Sequence, residues 1–115
     1  MEKDRATALA EELKARQHDL AAAKTRVADA KDLRRRLVPA VALAYANMRA
    51  SASAGDRKIW LDARTAKREA AAEIVAAKAA KKQARERRDQ ARAAYHQAID
   101  SPVVDPATSR VGTTS

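Results

Sequence analysis

The chain has no cysteine, no phenylalanine, two glycines, three prolines and one tryptophan in 115 residues. Without cysteine there can be no disulfide, zinc–thiolate site or thiol nucleophile, and the redox compartment stays open. With Gly55 and Gly112 alone, no glycine-rich phosphate loop can be written. Large apolar side chains are scarce too. The apolar fraction is 46%, but 31 of those residues are alanine. Leu, Ile and Val together number 17, fewer than the roughly one fifth of the chain below which a highly charged sequence struggles to build a core.

Long apolar runs are missing as well. The longest uncharged stretch, Leu37 to Met48, is twelve residues, too short to span a bilayer. The opening Met1-Glu2-Lys3-Asp4-Arg5 holds no apolar core of a secretory signal. These features predict a soluble chain, cytoplasmic or within a virion. The Ala and Arg excess points to a GC-rich genome, and size and composition suggest a phage particle as one setting.

Catalytic signals are equally thin. His18 and His96 are the only histidines. His96 and Asp100 have the i, i+4 spacing of a metal pair, but no third ligand accompanies them. Neither histidine follows a glutamate at i−3, as a di-iron bundle requires. The expectation is a protein that is not an enzyme, with no cofactor, metal or small-molecule substrate.

What the chain does have is alanine mixed with Arg, Lys, Glu and Gln, the strongest helix formers. From Glu2 to about Arg36 nothing breaks a helix, and Glu2 and Asp4 suit the positive end of its dipole. Apolar residues recur in heptads: Ala6, Leu13, Leu20 and Val27 at one position, Leu9, Ala23, Ala30 and Leu37 at the other, interrupted by Arg16 and Arg34. Pro39 predicts a kink, across which Val38, Val41, Tyr45 and Met48 keep helical spacing to about residue 50. Residues 51–56 read as a turn, with Gly55 supplying a positive φ and Asp56 capping the next helix. From 57 to about 100 alanine repeats every seven residues, at Ala63, Ala70, Ala77, Ala84, Ala91 and Ala98, with Ile59, Ala66, Ala80 and Ala94 at the companion position. Pro102 ends the helix, and 101–115 reads as a short extended, flexible tail in which Val103 and Val104 can add as an edge strand.

Two near-equal helices joined by a short turn predict an all-α fold: a long antiparallel two-helix coiled-coil hairpin over 1–100. Its packing seam is Leu9, Leu13, Leu20, Val27 and Leu37 against Ala63, Ala70, Ala77, Ala84 and Ala91. Residue i then faces roughly residue 107 − i, which sets Leu20 near Arg87, Asp29 near Lys78 and Asp19 near Arg88.

The net charge is +9, and this suits a polyanionic partner. Lys78, Lys81, Lys82, Arg85, Arg88 and Arg92 fall within about a 120° arc of the second helix. That stripe matches duplex or strand phosphates, although no aromatics interleave with it for base stacking; the plainer reading is a solvated face. Arg34-Arg35-Arg36 forms a second basic cluster. Val41, Tyr45, Met48, Ile59 and Trp60 gather large side chains near the turn, either as a miniature core or as a partner-docking tip.

A hairpin with a Trp near its turn is similar in outline to the WXG100 secreted proteins. Trp60-Leu61-Asp62 lacks their glycine, and Ile99 stands where their secretion motif needs an acid, so that family is set aside. A helix-turn-helix around the turn is disfavoured by the length of its helices. The expected function is assembly or interaction: a structural or adaptor component that binds a protein or itself. Nucleic-acid binding through the basic stripe is the alternative, and membrane contact the weakest reading.

Overall fold

The computed structural model describes residues 2–100. It consists of two helices, α1 (Glu2–Ser51) and α2 (Ala54–Asp100), joined by Ala52 and Ser53. The fold is an all-α helical hairpin. The tail at 101–115, with Val103 and Val104, lies outside the described residues.

Helix α1 does not stop at Pro39. The heptad explains why. Continued past Val27 and Ala30, its two core positions fall on Val41 and Met48, and on Leu37 and Ala44. Ala44 is buried and the other three are half-buried. Pro39 then takes the outermost position and is exposed. The missing N–H leaves the Arg35 carbonyl without its helical donor on the side where water can replace it.

The turn is tighter than the sequence suggests, and its chemistry sits on other residues. Ala52, not Gly55, takes the left-handed conformation, with φ 56°. Its N–H donates to the Met48 carbonyl at 2.9 Å, closing α1 with a single αL bond. Gly55 has no positive φ and lies inside the first turn of α2. Ser53, not Asp56, is the N-cap: its Oγ accepts the Asp56 N–H at 3.0 Å and its carbonyl accepts the Arg57 N–H at 3.1 Å. Asp56 stands at the third helical position, and its carboxylate accepts from the Ser51 hydroxyl. That ties the end of one helix to the start of the next, and it places a negative charge at the positive end of α2.

The described chain forms two compact units. The turn unit is Ala21–Gln83; the terminal unit is built from residues 2–20 and 84–100. In the turn unit Val27, Ala30, Ala44, Ala70 and Ala77 are buried, and Ala77 is completely covered. Leu37 and Ala63 are half-buried there. In the terminal unit Leu20 and Ala91 are buried, while Leu9, Leu13 and Ala84 are half-buried. Fully covered positions are thus mostly alanine, which lets backbones approach closely but buries little area per residue. Ile59, expected at a companion core position, is 59% exposed.

Helix α2 adds a third row beside its two core rows. Trp60, Lys67, Ile74, Lys81, Arg88 and Tyr95, seven apart, are all half-buried. Beside the buried Leu20 of the same unit, Arg87 is exposed and Arg88 is partly covered. Arg16, which interrupts the heptad, keeps its side chain 28% exposed and reaches Glu12 (Nε–Oε2 3.3 Å) and Asp19 (Nη1–Oδ2 3.2 Å). The Nε approach is an ion pair without hydrogen-bond geometry, so that N–H is left without an acceptor.

Candidate functional site

The charge is not shared between the two units. Residues 21–83 hold fifteen basic and six acidic side chains, a net +9. Residues 2–20 and 84–100 hold eight of each sign. The whole net charge of the protein therefore belongs to the turn unit.

Within that unit the charge is concentrated on one flank of the helix pair. A groove of about 650 Å³ runs between α1 and α2 there, with Val38, Val41, Ala42 and Tyr45 on one side and Trp60 and Ala71 on the other. It continues past Arg34 and Val38 into a second hollow of about 420 Å³ over Ile74. From α1 the rim carries Lys31, Arg34 and Arg35; from α2 it carries Arg64, Lys67, Arg68 and Lys78. No carboxylate lines either part. Among the described residues Lys31, Arg34, Lys67, Arg68 and Lys78 make no ion pair, whereas Arg35 approaches Asp32 at 3.6 Å.

The aromatic end of the groove is organised. The Tyr45 and Trp60 rings meet at 5.5 Å between centroids, tilted by 58°. The Arg64 guanidinium lies 5.4 Å from the Trp60 ring centre, and that of Arg49 lies 5.9 Å from Tyr45 while donating to its hydroxyl at 3.3 Å. These cation–π contacts pre-place the rim charge of Arg64 and add one more, that of Arg49.

The opposite flank of the same unit behaves differently. There Arg26 forms a bidentate fork on Glu73, with Nε donating to Oε2 at 2.7 Å and Nη2 to Oε1 at 2.9 Å. The hydrogen bond from Arg26 is the main reason that the Glu73 carboxyl lies below its ordinary range; partial desolvation opposes it and the attraction of the guanidinium adds to it. This pair joins α1 to α2 directly. The expected pairs do not form. Arg88 pairs with its neighbour Asp89 at 2.7 Å, Asp19 with Arg16, and Asp29 and Lys78 have no ion-pair partner among the described residues.

The basic stripe expected on α2 is not one uniform face. In the turn unit Lys78 rims the groove, Lys81 is half-buried and Lys82 is exposed. In the terminal unit Arg85 and Arg92 are exposed, and Arg88 has its side chain 22% exposed and paired. The Arg34-Arg35-Arg36 cluster also divides. Arg34 turns into the groove, while Arg36 binds Asp32 at 2.9 Å on the outside. Of the expected tip, Val41, Tyr45 and Trp60 share the groove. Met48 lines a separate hollow with Arg57, and Ile59 stands apart in solvent.

The chain matches no protein-family model, no curated protein and no solved structure. Sequence reasoning missed Lys31, Val38, Arg64, Lys67, Arg68 and Ile74 as members of one site. A signal was present: Lys31, Val38 and Tyr45 repeat every seven residues on α1, as do Trp60, Lys67 and Ile74 on α2. Reading only two core rows per helix hides it.

Chemistry-bearing clusters are few elsewhere. Among the described residues no group of three or more His, Asp or Glu side chains converges to hold a metal. His96 stands on the edge of Tyr95 and 3.9 Å from the Asp100 carboxylate. No helix among the described residues is long and apolar enough to cross a membrane.

Proposed function

We propose that this hairpin is a non-enzymatic interaction protein, a structural or adaptor component that holds an anionic partner on the groove flank of its turn unit. The observation that carries this reading is the groove rim: seven basic side chains from two helices, with no carboxylate among the lining residues. Clustered like charges raise the free energy of the unbound surface, and an anionic partner relieves that repulsion. The groove floor adds apolar area, so charge steers the partner and burial holds it. Nucleic acid is the competing occupant, favoured by the same positive charge.

An anionic apolar dye, 8-anilinonaphthalene-1-sulfonate, tests whether the groove binds at all. The expected result is saturable binding with energy transfer from Trp60. It is lost in a Lys67→Glu/Arg68→Glu variant and kept in an Arg85→Glu/Arg92→Glu variant. Absence of binding, or binding indifferent to the groove substitutions, contradicts the reading.

A further inference from the structure

The floor of the groove specifies more than charge. We infer that its occupant is an acidic amphipathic helix of a partner protein, lying along α1 and α2 as a third helix. This rests on the groove being a binding surface, as proposed above.

Four observations converge. First, the apolar floor follows heptad spacing: Val38 and Tyr45 are seven apart on α1, and Trp60 and Ile74 fourteen apart on α2. Both Val38 and Tyr45 are more than 40% exposed although they face a groove between two helices. A two-helix pair needs only two rows per helix, and a third row on each is what a three-helix arrangement fills.

Second, the groove runs along the helices. From Lys31 to Tyr45 is fourteen residues of α1, and from Trp60 to Lys78 eighteen of α2, about 20–27 Å at 1.5 Å per residue. A helix of about four to five turns fits that length.

Third, the rim is charged on both banks with one sign, Lys31 and Arg34 on α1 and Arg64, Arg68 and Lys78 on α2. A helix seated between them meets basic side chains left and right of its apolar stripe, so it needs Asp or Glu on both flanks. A second copy of this groove is repelled by the same charges.

Fourth, the aromatic rings are poorly placed for nucleic acid. Tyr45 and Trp60 pack on each other and carry Arg49 and Arg64. Unpaired bases stack on free ring faces, and a duplex backbone gains nothing from an apolar floor.

The experiment uses the full chain and a synthetic peptide of about 21 residues, with Leu at the two core heptad positions and Glu at both flanking positions. A second peptide has the same composition in scrambled order, and the third probe is a 20-base-pair DNA duplex. Binding is read by Trp60 fluorescence and by the gain of helix on mixing. The expected result is that the heptad peptide becomes helical and binds at least about tenfold more tightly than the scrambled one. Val38→Ser/Ile74→Ser and Lys67→Glu/Arg68→Glu each weaken it by about tenfold or more, with helix content of the free protein unchanged. Arg85→Glu/Arg92→Glu has no such effect.

Equal binding of both peptides overturns the helix inference and leaves an anion-binding groove standing. Binding of the duplex but not the heptad peptide assigns the surface to nucleic acid and overturns it as well. A free protein that sediments as a dimer and binds no probe shows a second copy covering the groove. If the protein is monomeric and no probe binds, the interaction reading of this surface falls with the inference.

Discussion

The turn unit and the terminal unit use the same packing rule and opposite electrostatics. Both bury alanine beside larger aliphatics, Ala70 and Ala77 with Val27 in one and Ala91 with Leu20 in the other. The terminal unit balances its charges eight to eight, and two of its arginines reach carboxylates, Arg16 with Glu12 and Asp19 and Arg88 with Asp89. The turn unit lines one flank with seven basic side chains, of which, among the described residues, only Arg35 approaches a carboxylate, Asp32, while Glu73 pairs with Arg26 away from that groove. A surface that only kept the protein in solution has no reason to be sorted this way. Solubility needs net charge, whereas recognition needs charge of one sign beside apolar area.

The sharpest way to break the comparison is to disturb the shared packing. Ala77 has no exposed surface, and Ala91 retains 8%. Ala77→Leu forces the helices apart and is expected to destabilise by about 3 kcal/mol, the upper part of the range for overpacking. Ala91→Leu costs less, about 1–2 kcal/mol. Urea unfolding followed by helical circular dichroism measures both. Equal and negligible effects would mean that the alanine seam is not tightly packed in either unit.

A smaller effect belongs to the turn. Ser53→Ala removes the N-cap of α2 and is expected to cost about 1 kcal/mol. Ala52→Gly relieves a left-handed alanine and is expected to stabilise by about 0.5–1 kcal/mol. Opposite signs at adjacent residues, read from melting temperatures, are the signature of this turn geometry. A cap on Asp56 and a positive φ at Gly55 predict neither.

The smallest effect sharpens the contrast between the two flanks of the turn unit. The Glu73 carboxyl is held below its ordinary range by the hydrogen bond from Arg26. A depressed carboxyl contributes stability above its unfolded-state value and loses it as pH falls through the folded one. The difference in melting temperature between wild type and Glu73→Gln is therefore largest at neutral pH. It closes as pH drops below the usual glutamate value of about 4.3. A difference that persists at pH 2 would assign the role of Glu73 to packing and not to its charge.

The hairpin is legible in the sequence because two periodicities agree: Leu and Val every seven residues in α1, and alanine every seven in α2. The groove is harder to see, and the reasons are physical. Pro39, read as a kink, lies inside α1, where the heptad puts it on the outer face. The turn pattern points to Gly55, but Ala52 supplies the positive φ, since one αL bond to Met48 offsets part of its cost. The stripe from Lys78 to Arg92 is read on an isolated helix, where every position looks solvated. Packing of α1 against α2 half-covers Lys81 and Arg88 and sends Lys78 to the groove. Three of the five residues expected at the tip do meet, because Tyr45 and Trp60 each lie on the third row and Val41 on the first. Met48 and Ile59 take other faces.

The measurement that bears most directly on the central claim is hydrogen–deuterium exchange of the full chain with and without the acidic heptad peptide. Protection on binding should rise along residues 31–45 and 60–78 and stay unchanged in 2–20 and 84–100. Protection centred on 84–92, or spread evenly over both helices, would contradict the assignment of recognition to the groove of the turn unit.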